Sequence, residues 1–131
     1  MSDTDLTTVP ASSIGRYRVV RLIAHGGMGS LYLARDPAID RLVAIKLLKA
    51  GFDDDVARER FAREARATGG LRHPNIVTVF DVGEHSNRPF IAMEYVPGET
   101  LAALILRQAP LLLTDKLAVL EDLCAGLHFA H

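Results

Sequence analysis

The segment that follows the glycine cluster restricts this chain more than any other feature. Gly26-Gly27-Met28-Gly29 runs into Ser30-Leu31-Tyr32-Leu33-Ala34-Arg35, and Asp36-Pro37 closes that stretch. A short apolar segment in alternation, bounded by a turn, predicts a strand. The glycines therefore sit in a strand-loop-strand hairpin. Loops that hold a dinucleotide or follow G-x-x-x-x-G-K-[ST] need a helix N-terminus directly after the glycines to receive phosphate. The strand disfavours the first, and the sequence does not contain the second.

Before the loop, Tyr17, Val19 and Ile23 alternate with Arg18, Val20 and Leu22, which predicts a strand leading into it. A third strand follows over Arg41–Leu48. Its period of two puts Leu42, Ala44, Lys46 and Leu48 on one face and Val43, Ile45 and Leu47 on the other. Lys46 then points to one defined side. A loop able to lie against phosphates, followed by a strand that delivers an ammonium, is a nucleotide-handling arrangement.

Asp53-Asp54-Asp55 suits a helix N-terminus through capping and the helix dipole, and Gly69-Gly70 ends the helix that begins at about Val56. Winding it puts Ala57, Phe61, Ala65 and Thr68 on one stripe, with Glu59, Arg63 and Arg66 opposite. Glu64 falls inside the apolar stripe, so the pattern asks for a cation from the surface the helix packs on. Two further strands are expected at Ile76–Val82 and Pro89–Tyr95, joined by a turn at Gly83-Glu84-His85-Ser86-Asn87.

After the break at Val96-Pro97-Gly98 the pattern becomes helical, from Glu99 or Thr100 to about Arg107 and from Thr114 onward. The last helix carries Leu113, Leu117, Val119, Leu120, Leu123, Cys124, Leu127 and Phe129, apolar most of the way round, and expects burial. Cys124 reads as a packing residue. Because little chain remains to cover that helix, the sequence predicts truncation within a domain and self-association through the helix.

Composition narrows the partners. A formal net charge of −1 gives no basic field for nucleic acid. The single cysteine permits no internal disulfide and no multi-cysteine zinc site, which fits a cytoplasmic location. No apolar run is long enough to span a membrane, and residues 1–13 have the polar, unpatterned character of a flexible tail.

In this order of elements, the chain resembles a eukaryotic-like bacterial serine/threonine protein kinase of the kind with a G-G-M-G loop. The resemblance covers about residues 16 to 131. It rests on Ala24-His25-Gly26-Gly27-Met28-Gly29-Ser30-Leu31, on Val43-Ala44-Ile45-Lys46, on Glu64, on His73-Pro74-Asn75-Ile76-Val77 and on Met93-Glu94-Tyr95-Val96. Ala24 stands where the first loop glycine is usual, and Leu31 where valine is usual.

The resemblance implies an α+β fold: a kinase N-lobe with a five-stranded antiparallel sheet and one helix over 14–95, a hinge at 96–99, and the first two helices of an incomplete C-lobe over 100–131. It also implies ATP as ligand, with Lys46 and Glu64 as the phosphate-positioning pair. The other contacts it implies are Ile23, Ala24, His25, Gly26, Gly27, Met28, Gly29, Leu31 and Ala44, with Met93 as gatekeeper and Glu94, Tyr95 and Val96 at the adenine edge. His73 reads as structural.

The family's H-R-D catalytic loop, D-F-G aspartate and A-P-E motif do not occur in residues 1–131. Magnesium ions and a protein substrate therefore belong to the full domain, and residues 1–131 are expected to supply no metal ligand. Two function classes follow: the ATP-binding portion of a kinase, inactive by itself, or a non-catalytic module that binds nucleotide or protein.

Overall fold

The computed structural model describes residues 13–27, 29–49 and 55–131. By its contacts the chain divides into two compact units, one running through Gly70 and again over Thr78–Tyr95, the other comprising Leu71–Val77 and Val96–His131.

The first unit is a sheet with one helix. Its strands are β1 (Ser13–Ile14), β2 (Tyr17–His25), β3 (Gly29–Asp36), β4 (Arg41–Leu48), β5 (Val79–His85) and β6 (Arg88–Glu94), and its helix is α1 (Asp55–Gly69). The strands lie in the order β1-β2-β3-β4-β6-β5, and every neighbouring pair is antiparallel.

Alternation along β4 sorts its side chains between two apolar clusters. Val43, Ile45 and Leu47 join Ile14, Tyr17, Tyr32, Ala34, Phe90 and Ala92 in the larger cluster. Leu48 joins Ile91 from β6 and Phe61 and Ala65 from α1 in the smaller one. Each large side chain buried in this way contributes about 1.5–3 kcal/mol before entropy is counted.

Two polar networks tie the β1 end to the sheet. The Tyr17 hydroxyl donates to Asp81 Oδ2 at 3.0 Å, and the buried Asp36 accepts from Arg16 at 3.1 Å and from the Ala38 backbone N–H at 3.0 Å. Burial, reinforced by the neighbouring Asp81 carboxylate, pushes the Tyr17 phenol above its ordinary value.

The second unit holds α2 (Leu101–Leu106) and α3 (Leu113–Ala130). Thr100 caps α2, its hydroxyl oxygen accepting from Ala103 N–H at 3.0 Å. Arg107 grips Glu99 at 2.6 Å and holds that carboxyl below the usual range. The turn at His73-Pro74-Asn75-Ile76 is closed by Ile76 N–H donating to His73 C=O at 3.1 Å and Asn75 N–H donating to His73 Nδ1 at 3.0 Å. It rests on α3 through Asn75 Nδ2, which donates to Asp122 C=O at 2.9 Å, through the His73 and Phe129 rings 5.0 Å apart, and through the buried Gly126. The turn role expected of His73 is what the structure shows.

Several expectations shift. The sheet has six strands among the described residues rather than five, because Ser13, expected in the tail, pairs with Arg18 in β1. Residues 1–12 lie outside the described residues, as do Asp53 and Asp54; Asp55 does open α1. Register shifts between Val19 and Arg21 and between Leu22 and Ala24 change the alternation of β2. An extra residue at a bulge turns the following side chains to the other face. Leu22 rather than Ile23 therefore packs with Val19 on the larger cluster.

The β5–β6 hairpin turns at Ser86 and Asn87 alone, both at positive φ as a two-residue type I′ turn requires. Gly83, expected in the turn, is a strand residue whose missing side chain makes room for Phe90: a Cβ there would lie 2.9 Å from the ring. The last helix is exposed along its length, with only Gly126 buried, and Cys124 is exposed rather than packed.

Candidate phosphate and nucleotide site

The helix α1 buries the stripe Ala57, Phe61 and Ala65, which fixes its rotation on the sheet. That rotation brings Glu64 to Lys46: Lys46 Nζ lies 2.8 Å from Glu64 Oε1. The ammonium also stands 6.0 Å from the centroid of the Phe61 ring, one turn earlier on the helix.

Glu64 meets a cation, as its place in the apolar stripe asks, but the expected burial is not present. The Lys46 and Glu64 side chains are 38% and 52% exposed, because the carboxylate leaves the stripe toward solvent at its edge. An ion pair this open contributes only about 0–1 kcal/mol to stability. Its consequence is geometric: it holds one cation at one place on the sheet.

Strand register defines what shares that face. Ala24 is opposite Leu31, Leu31 opposite Lys46, and Lys46 opposite Ile91; in the next row Leu33 is opposite Ala44, and Ala44 opposite Met93. Directly opposed residues project to the same side of a sheet. Leu31, Ala44, Lys46 and Met93 are therefore brought together, an apolar floor with a cation at one end.

Ile23 lies at the second register shift of β2, half-buried. His25, Gly26 and Gly27 are exposed at the tip of the hairpin, where Gly26 N–H donates to Gly29 C=O at 2.8 Å. A Cβ at Gly26 or Gly27 would meet nothing within 4 Å. Met28 lies outside the described residues.

The end of β6 is held by a pair of bonds that the sequence does not announce. Glu94 N–H donates to Thr78 C=O at 2.8 Å, and Thr78 N–H donates to the Glu94 side chain at 3.1 Å. Thr78 was missed because it lies among apolar residues that read as strand. Tyr95 is half-buried and Val96 exposed. Among the described residues, no group of three His, Cys, Asp or Glu side chains stands together as a metal cluster would. No helix there is long and apolar enough to cross a membrane.

Residues 17–131 match the family model described as protein kinase domain. The chain is 42% identical over 118 residues to serine/threonine-protein kinase PrkC of Bacillus subtilis (strain 168), an overlap of 89% of this chain and 18% of that protein. It is 38% identical over 133 residues to serine/threonine-protein kinase PknB of Mycobacterium tuberculosis, covering 95% of this chain and 21% of that one. Among solved structures, the kinase domain of M. tuberculosis PknI superposes with a TM-score of 0.78 at 34% identity, covering 94% of this chain and 51% of that chain. The chain thus spans about a fifth of the length of these curated relatives.

Proposed function

Because this chain belongs to the protein kinase domain family, we propose that it supplies the ATP-binding part of a serine/threonine kinase. The observation that carries the reading is the 2.8 Å pair between Lys46 and Glu64. A cation fixed above an apolar floor and beside an open glycine hairpin fits a nucleotide, whose base is flat and apolar and whose phosphates are anionic.

Bound ATP would supply the γ-phosphoryl group for transfer to a serine or threonine hydroxyl of a protein. Lys46 holds the α- and β-phosphates and Glu64 orients Lys46. The hairpin Ile23, Ala24, His25, Gly26, Gly27, Met28 and Gly29 covers the phosphates, with Gly26 and Gly27 leaving the backbone free to approach them. Leu31, Ala44 and Met93 contact the adenine face, and Glu94, Tyr95 and Val96 take its hydrogen-bonding edge. Magnesium serves the family's reaction, but its ligand motifs do not occur in residues 1–131. The base that receives the hydroxyl proton belongs to the same missing set. A cytoplasmic location, where ATP is plentiful, completes the reading.

Thermal unfolding with and without ATP tests the proposal. At a nucleotide concentration of about 100 times Kd, the wild-type chain gains about 2.7 kcal/mol by mass action. Lys46→Met loses that gain while its unfolding without nucleotide stays within about 1 kcal/mol of wild type. No gain at millimolar ATP overturns the reading. With labelled ATP and a generic protein substrate, residues 1–131 are expected to transfer no phosphate; clear turnover refutes that part.

A further inference from the structure

The strand that carries Lys46 is gripped from both sides immediately after the lysine. On the β3 side, the grip comes from Gly29. A Cβ at this position would run into the Leu47 carbonyl oxygen, lie 3.0 Å from the Leu47 carbonyl carbon and 3.1 Å from Leu48 Cα. These obstacles are backbone atoms, which cannot rotate away as a side-chain tip can. The contact is therefore possible only for glycine. Gly29 differs in this from Gly26 and Gly27, which have open space around them.

On the β6 side, the grip comes from Arg88, whose Nε donates to the Leu48 carbonyl oxygen at 2.9 Å. Arg88 is the first residue of β6, set directly after the Ser86-Asn87 turn and paired with His85. The tight turn fixes where its side chain starts. An N–H from a charged guanidinium to a carbonyl is among the stronger hydrogen bonds available to a strand end.

Both grips act on the ladder that carries the lysine. Gly29 opposite Leu48 and Leu31 opposite Lys46 are rungs of the same β3–β4 ladder, two residues apart on one face. A displacement forced at one rung passes to the next, because the strand backbone is close to inextensible. Lys46 Nζ must reach Glu64 Oε1 at 2.8 Å, so its position depends on where that strand end lies.

We infer that Gly29 and Arg88 are positioning residues for Lys46: by holding Leu47 and Leu48 from opposite sides, they set where the lysine ammonium stands. Gly29 thus contributes through β4, and Arg88, which lies outside the glycine loop, acts on the same strand end. The consequence for nucleotide rests on the ATP-binding reading above.

The test uses the whole chain, whose only lysines are Lys46, Lys49 and Lys116. With lysine labelled with 13C at Cε, the Lys46 resonance is assigned by its loss in Lys46→Met. In Arg88→Gln and Gly29→Ala the Lys46 resonance is expected to move while that of Lys116 stays, and Arg88→Lys, which retains a donor, returns it toward the wild-type position. In parallel, the dissociation constant for ATP rises about tenfold in Gly29→Ala and severalfold in Arg88→Gln, in line with a small displacement of a positioned group. In Arg88→Gln the dissociation constant for adenosine, which has no phosphate for Lys46 to meet, is unchanged.

An unmoved Lys46 resonance in Arg88→Gln overturns the inference, and so does an equal loss of ATP and adenosine, which marks general loosening of the sheet. Should Gly29→Ala fail to fold, the Arg88 variants decide. Should wild type bind no ATP, the proposed function fails and the resonance still decides the positioning.

Discussion

The sheet unit and the last helix treat similar apolar residues in opposite ways. In the sheet, Ile45, Leu47 and Val43 are fully enclosed, whereas Leu113, Leu117, Leu120, Leu123, Leu127 and Phe129 of α3 each leave roughly half or more of their surface in water. Both segments are rich in leucine and its relatives, so composition does not explain the difference. What separates them is whether apolar partners exist on every side. A strand between two others in a sheet, covered on its faces by Phe90, Tyr17 and Phe61, has them. The helix α3 is met by the His73–Ile76 turn, which touches it at Asp122, Gly126 and Phe129. The stability of the chain is therefore concentrated in the sheet.

That contrast is open to direct attack. The largest effect is expected from Ile45→Ala, which opens a cavity in an enclosed core and costs about 2–5 kcal/mol. Leu120→Ala on α3, a surface change by comparison, stays within about 0.5 kcal/mol. Denaturant titration of the two variants measures both, and similar losses would show that α3 is packed in solution as tightly as the sheet.

A smaller effect belongs to Tyr17→Phe. Losing the hydroxyl bond to Asp81 costs about 1 kcal/mol. The phenol's ionisation is shifted upward in the folded state, so its contribution is fully present below the unfolded value of about 10 and is lost as pH rises through the folded one. Wild type therefore loses stability above about pH 10 more steeply than Tyr17→Phe does, and parallel alkaline unfolding curves would contradict the assignment.

The smallest effect is expected in the helical unit, at Glu99→Gln. Arg107 lowers the Glu99 carboxyl from its ordinary value. The contribution is thus present above the unfolded carboxylate range and disappears as pH falls through the lowered folded value. Because the pair is open to solvent, the difference between wild type and Glu99→Gln should be slight, absent in acid and reduced by salt. A salt-independent difference that persists in acid would mean that Glu99 acts by packing.

Much of the site is legible before any coordinate. The stripe Ala57, Phe61, Ala65 follows from the helical period, and the side to which Lys46 points follows from the strand period. That Glu64 needs a cation follows from a carboxylate placed among apolar residues, and the kinase resemblance names that cation as Lys46, although Glu64 reaches the solvent edge rather than the interior. Other elements resisted. The apolar pattern starts β5 at Ile76, but the His73 ring and carbonyl bind the next residues into a turn and the strand begins at Val79, which an apolar pair such as Ile76-Val77 does not reveal. The bulges of β2 were equally silent, because an added residue changes the face of a strand without changing its composition.

By itself, the sequence determined that a glycine hairpin precedes a strand bearing a lysine and a helix bearing a glutamate in its apolar stripe, since these depend on local periods and turn chemistry. Only the tertiary structure decided that β4 lies between β3 and β6, that Thr78 secures Glu94, and that Gly29 and Arg88 close on the strand end beyond Lys46. Those relations join residues far apart in the chain, and their distances are set by how sheets pair and pack rather than by any local preference.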